Sequence, residues 1–147
     1  MLYKFCCIFL ISLILLITIK STFILIERFE VNPLTTSDFW GWQYGPRDII
    51  KYFLIKKDNY DDLYMSGEFN GAEIFLKFYY PENSCQNKCK IGDFYREPAI
   101  YNPARKQLFS LSPDYLSRSN FKEKFSIKKT LYYPNGTIAF LIGEIKT

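Results

Sequence analysis

The sequence predicts an α/β protein: one N-terminal transmembrane helix followed by a small α/β domain ending in a β-hairpin. Three observations carry this expectation. Residues 5–26 hold a single charge, Lys20, in 22 positions, enough to cross a hydrocarbon core of about 30 Å as a helix. Beyond them, helical and strand periods alternate along the chain. Near the end, two alternating apolar runs flank Pro134-Asn135-Gly136. That is a strong hairpin signal, because Pro presets the first turn position and Gly accepts positive φ.

Composition removes several function classes. Of 147 residues, 48% are hydrophobic and 19% aromatic, more apolar surface than a disordered chain carries. There is no histidine, which excludes Ser-His-Asp and Cys-His catalysis and zinc sites with imidazole ligands. No cofactor is implied. The net charge of +4 is unevenly placed: Lys4 and Lys20 precede Glu27, and from Glu27 onward 17 basic residues face 15 acidic ones. No nucleic-acid footprint follows from so small an excess.

Taken in order, residues 1–28 read as the transmembrane helix, 29–38 as a linker and 39–147 as an extracytoplasmic α/β domain. A cleaved signal peptide calls for small residues in an A-x-A-like site, and the first alanine is Ala72. A buried core helix calls for polar residues on a 3.6 period, which the segment lacks. Lys20 lies close enough to the helix end to snorkel to the headgroups. Lys4 and the α-amino group flank the start, and Glu27, Arg28 and Glu30 flank the end. That basic bias puts the N-terminus in the cytoplasm and the domain outside.

Within the domain, Pro46 fits the first position of a helix over about 46–57, with Asp48 in a first turn that favours anions. Ile49, Ile50, Phe53 and Leu54 form its apolar stripe. Residues 60–66 read as a short strand, 67–71 as a turn and 72–80 as a second helix stopped or kinked by Pro81. Residues 82–106, with Pro98, Pro103 and Gly92, read as a long ordered loop. Residues 106–111 are a second strand, and 125–131 and 137–145 are the two arms of the hairpin.

Cys85 and Cys89, in Cys-Gln-Asn-Lys-Cys, suit a small disulfide-closed loop outside the cytoplasm. Free thiols and half of a metal knuckle compete with that reading. Zinc would need two more ligands, and Cys6 and Cys7 lie in the apolar segment. No metal site is assigned.

The best candidate binding site is aromatic. Phe39, Trp40, Trp42 and Tyr44, followed by Arg47, suit contact with a saccharide or lipid-linked group, because such rings stack on sugar faces and offer polar edges. The same residues suit an interfacial belt or core packing. The acids available for a glycosidic dyad are Asp61, Asp62, Glu68 and Glu73. Two carboxylates must face one bond about 5–10 Å apart for that chemistry, and neighbours on a strand point to opposite faces. Solvated charge at the start of a strand is therefore the favoured reading, and no catalytic residue is assigned. Asn135-Gly136-Thr137 is formally a glycosylation sequon, but its turn role suffices to explain it.

Trp40-Gly41-Trp42-Gln43-Tyr44-Gly45-Pro46-Arg47-Asp48, then a helix, then Tyr60-Asp61-Asp62-Leu63-Tyr64-Met65, then Glu73-Ile74-Phe75-Leu76-Lys77-Phe78-Tyr79, carry a resemblance over roughly residues 38–145. The pattern resembles the extracytoplasmic C-terminal domain of multi-pass membrane glycosyltransferases of the dolichyl-phosphate-mannose–protein mannosyltransferase type. The resemblance implies a polyprenyl-phosphate-linked sugar donor and makes residues 5–26 the last membrane helix of such an enzyme. The family's catalytic acid lies in an early extracytoplasmic loop that this chain lacks, so no catalytic residue is carried over. The implied role is support of catalysis, alongside a separate or upstream multi-pass transferase region and the lipid bilayer. The alternative is a single-pass anchored extracytoplasmic binding module without enzymatic activity.

Overall fold

The computed structural model describes residues 2–27, 44–79, 85 and 87–146. The predicted linker 29–38, Trp40 and Trp42 lie outside the described residues.

The first helix, α1 (Leu2–Ile26), spans about 37 Å at 1.5 Å per residue. Its leucines, isoleucines and phenylalanines from Ile8 to Ile26 are solvent-exposed, so the other described residues do not bury them. Its two threonine hydroxyls turn inward: Thr18 donates to the Ile14 carbonyl and Thr22 to the Thr18 carbonyl, each at 2.9 Å. That back-bonding satisfies both threonine hydroxyls within the helix itself. Residues 6–26 are long and apolar enough to cross a membrane.

The second helix, α2 (Pro46–Lys56), starts as its residues dictate. Gly45 takes φ 102° at the N-cap, Pro46 occupies the first turn and Asp48 faces the positive end of the helix dipole. Gly45 is required there twice over. Its backbone is left-handed, and a Cβ would meet the Phe140 ring at 2.7 Å. Pro46, Ile49, Ile50 and Phe53 are buried, and a 3₁₀ turn at Lys57–Asn59 ends the helix.

Five strands make one mixed sheet in the order β2-β1-β3-β5-β4: β1 (Asp62–Met65), β2 (Cys89–Ile91), β3 (Gln107–Leu111), β4 (Phe125–Tyr132) and β5 (Ile138–Ile145). The first three run parallel, with β1 in the middle. The hairpin β4–β5 joins antiparallel through β5 beside β3. In the turn, Gly136 takes φ 84° and its N–H donates to the Tyr133 carbonyl at 2.9 Å. Every residue of β1 and β3 is buried, as central parallel strands covered on both faces must be.

Side-chain alternation sorts the core into two layers. Leu63, Met65 and Leu108 face one side, with Ile49, Ile50 and Phe53 of α2 and Phe75 and Leu76 of α3 (Ala72–Tyr79). Tyr64, Phe109 and Leu111 face the other, with Phe94, Leu116 and Phe121. Phe94 makes edge contacts to Phe109 at 4.9 Å and Phe121 at 5.1 Å between ring centroids, the geometry aromatic quadrupoles favour. The helices α2 and α3 thus form one covering layer, and short turns and α4 (Pro113–Arg118) form the other.

The α/β class, the apolar N-terminal helix and the closing hairpin are as the sequence predicts. Two corrections concern short elements. The stretch expected to be one long loop contains β2 and a 3₁₀ turn at Pro98–Ile100, and α4 was not anticipated. Both escape periodicity because three and six residues are too few to show a repeat. α4 nonetheless carries a start signal: the Ser112 hydroxyl accepts from the Tyr115 N–H and Pro113 opens the first turn.

Candidate functional site

Of the four residues assigned to a saccharide or lipid-linked contact, the structure describes Tyr44 and Arg47. Tyr44 packs against the hairpin: its hydroxyl donates to the Tyr132 carbonyl at 3.0 Å, and its ring lies 5.1 Å from that of Tyr133. Arg47 is exposed. The two side chains therefore serve different surroundings, one sealing α2 onto the β4–β5 turn and the other meeting solvent. Beside this helix a groove of about 330 Å³ is lined by Asp48, Lys51, Tyr52, Ile55, Lys129 and Leu131.

Cys85 and Cys89 are joined as a disulfide with Cα atoms 5.7 Å apart. Asn87 closes the loop in the left-handed region at φ 61°, and the Lys88 N–H donates to the Cys85 carbonyl at 2.9 Å. Asn tolerates that conformation better than most residues. Cys89 is the first residue of β2, so the bond ties this edge strand to the buried Cys85.

Asp61 and Glu73 are exposed, as the reading of solvated charge expects, but Asp62 and Glu68 depart from it, which corrects the sequence reading for those two. Asp62 is buried at the start of β1. Its carboxylate receives Lys90 Nζ at 2.6 Å, Arg105 Nε at 2.6 Å and Arg105 Nη2 at 3.0 Å. Gln107 Nε2 adds a longer bond at 3.4 Å. Burial alone pushes the Asp62 carboxyl up, but Arg105 and Lys90 outweigh it and hold the group below the usual carboxylate range. Asp62, Lys90 and Gln107 come from three adjacent parallel strands. The cluster therefore locks the amino-terminal edge of the sheet. Alongside it, a groove of about 280 Å³ is lined by residues 103–107, Glu144 and Ile145. There the Tyr60 hydroxyl donates to Glu144 Oε1 at 2.5 Å, and Lys128 pairs with Oε2 at 3.0 Å. Burial and the Glu144 carboxylate push the Tyr60 hydroxyl up, so it stays protonated and donating.

The opposite edge, at the carboxyl ends of β1, β2 and β3, is where open α/β sheets generally hold ligands. Here Glu68 bridges two loops, receiving the Ser66 and Ser112 hydroxyls at 2.9 Å each. Burial pushes its carboxyl up against the pull of those hydroxyls. Asp93, also buried, accepts the Arg96 N–H at 2.9 Å. Arg96 donates to the Tyr115 hydroxyl and sits over that ring, and the Tyr95 ring stacks on Tyr115 at 5.5 Å. This edge combines carboxylates, hydroxyls, a guanidinium and a stacked tyrosine pair. Both Glu68 oxygens are engaged in bracing the loops after β1 and β3. Among the described residues, no group of three or more His, Cys, Asp or Glu is placed to hold a metal.

No protein-family model, curated protein or solved structure matches the chain.

The sequence reading missed the Asp62–Lys90–Arg105 cluster, because its members are 28 and 43 residues apart and nothing local marks them as partners. Glu68 carried a faint signal: Ser66-Gly67-Glu68 after an apolar strand resembles the loops in which a hydroxyl and a carboxylate pair.

Proposed function

We propose that this chain is a single-pass membrane-anchored binding domain: α1 crosses the bilayer and residues 44–146 work outside the cytoplasm without performing covalent chemistry themselves. The observation that carries this reading is α1, 25 residues with an exposed apolar surface, which water would penalise heavily and a bilayer core would not. The Cys85–Cys89 bond supports an oxidising compartment for the domain. A non-catalytic role is supported by the engagement of its buried carboxylates: Asp62 is neutralised by two cations, and Glu68 and Asp93 brace loops.

The transferase form of this reading rests on the resemblance of the sequence motifs. The turn–helix, strand and helix over residues 44–79 follow the order of the motifs that resemble the mannosyltransferase-type C-terminal domain. On that reading the domain assists a multi-pass region that takes its sugar from a polyprenyl-phosphate donor.

Two experiments test the proposal. Alkaline carbonate extraction of membranes should leave the full chain in the pellet, and a phosphatase reporter fused after Thr147 should be active outside the cytoplasm. Release of the chain by carbonate, or an active reporter only at the N-terminus, would refute the anchor or its orientation. The transferase form expects co-purification of a multi-pass polypeptide and no sugar transfer by the chain alone; turnover by the isolated chain would sink the accessory role.

A further inference from the structure

We infer that the outer face of the α2–α3 layer lies against the lipid surface in which α1 is anchored. This rests on the membrane anchor proposed above. Apart from α1, the three most exposed large apolar side chains among the described residues are Phe78 at 73%, Ile55 at 68% and Ile74 at 64%. All three belong to this one layer, Ile55 to α2 and the other two to α3. Ile74 and Phe78 are four apart and so share a face of α3. The opposite faces of both helices are packed against the core, through the buried Ile49 and Phe53 on α2 and the half-buried Phe75 and Leu76 on α3, which turns the exposed faces outward.

Connectivity names the occupant. Pro46 follows Ile26 by only 20 residues, so whatever path the chain takes, α2 begins within about 70 Å of the end of α1. The layer is also where the chain enters the domain. A tether of this length keeps the domain within reach of the bilayer, so a face with affinity for lipid meets it at high effective concentration. Its charge fits too. Arg47, Lys51, Lys56 and Lys77 on these helices outnumber Asp48 and Glu73, the pattern of basic residues beside apolar ones that seats a helix at a headgroup boundary. The apolar trio sets the depth, and the cations add a preference for anionic lipid that salt weakens.

The test uses the full chain in vesicles of phosphatidylcholine with a minority of phosphatidylglycerol, in a Cys6→Ser, Cys7→Ser background that keeps the disulfide. Single cysteines are introduced by Leu15→Cys, Phe78→Cys or Lys122→Cys and labelled with a fluorophore, and quenching is read with two lipids, one bearing its nitroxide near the headgroup and one deep in the acyl chain. Lys122 is exposed beside Phe121, on the opposite side of the sheet. The inference expects strong quenching of position 15 by the acyl-chain nitroxide and of position 78 by the headgroup nitroxide, with position 78 at least about fivefold above 122. Quenching at 15 with equal, weak quenching at 78 and 122 would overturn the lipid-facing layer while leaving the anchor intact. A label at 78 shielded from aqueous iodide but not quenched by lipid would assign the face to a protein and overturn the inference. No quenching at 15 would overturn the anchor and the inference together.

Discussion

Replacing Asp62 by asparagine removes one charge from the most heavily bonded carboxylate described here. The structure sets the scale. The side chain is 3% exposed and receives three charge-assisted bonds of 2.6, 2.6 and 3.0 Å from Lys90 and Arg105. Bonds of that kind contribute about 1.5–3 kcal/mol each when buried, but the cations here are nearly half exposed. Their share is therefore screened toward the 0.2–1 kcal/mol typical of surface pairs. Freed of Asp62, both cations can turn to water, so the about 3–5 kcal/mol penalty of a stranded buried charge does not apply in full. Asparagine also retains one acceptor oxygen. The net expectation is a loss of about 2 kcal/mol at pH 7, or a fall in Tm of roughly 10 °C for a domain of this size.

The pH dependence sharpens this prediction. The folded carboxyl lies below its unfolded value near 4, so its contribution is present above that pH and is lost as pH falls through the folded value. Thermal unfolding of the full chain in detergent, followed by near-ultraviolet circular dichroism at pH 7 and pH 3, should show a wide gap between wild type and Asp62→Asn that narrows in acid. A gap of equal size at both pH values would show that the carboxylate charge is not the source. No gap at pH 7 would refute the ion-pair reasoning altogether.

Glu68 should behave with the opposite sign. Its folded carboxyl is raised, chiefly by burial, so its contribution is complete below the unfolded value and is lost as pH rises through the folded one. Glu68→Gln should thus gain on wild type between pH 4 and pH 8, by roughly 1 kcal/mol, in the same thermal assay. Gly143→Ala should cost about 2–3 kcal/mol, because a Cβ there would sit 2.5 Å from the Ser126 carbonyl oxygen and 2.7 Å from the Phe125 ring. Gly136→Ala meets nothing within 4 Å and should cost only about 1 kcal/mol for its left-handed backbone; equal losses in urea unfolding would contradict the packing argument. Replacing Cys85 and Cys89 by serine should cost about 2 kcal/mol through loop entropy. Under non-reducing conditions, mass spectrometry after alkylation should find both unmodified in the wild type.

The particular residues explain which parts of the fold were legible. α2 was legible because Gly45, Pro46 and Asp48 are start signals and Ile49, Ile50 and Phe53 keep a helical period. The hairpin was legible because its turn chemistry is contiguous in Pro134-Asn135-Gly136. β2 was hidden because a strand of three residues has no period, and it exists through its pairing with β1 at Leu63, Tyr64 and Met65. The candidate sites fared differently. Tyr44 suited either a ligand contact or packing, and its hydroxyl and ring are taken up by the hairpin 88 residues away. Asp62 looked solvated, yet it is the best-bonded acid described.

By itself, then, the sequence determined what depends on near neighbours: the apolar N-terminal helix, the α/β alternation, the glycine and proline turns and the absence of imidazole chemistry. These follow from hydropathy, backbone sterics and composition, each read within a few residues. The tertiary structure decided which side chains meet across the sheet. It brought Lys90 and Arg105 to Asp62, set Glu68 between Ser66 and Ser112, and left Ile55, Ile74 and Phe78 uncovered together. The physical reason is that ion pairing, burial and exposure depend on strand order and layer packing, which join residues tens of positions apart and leave no local mark on any of them.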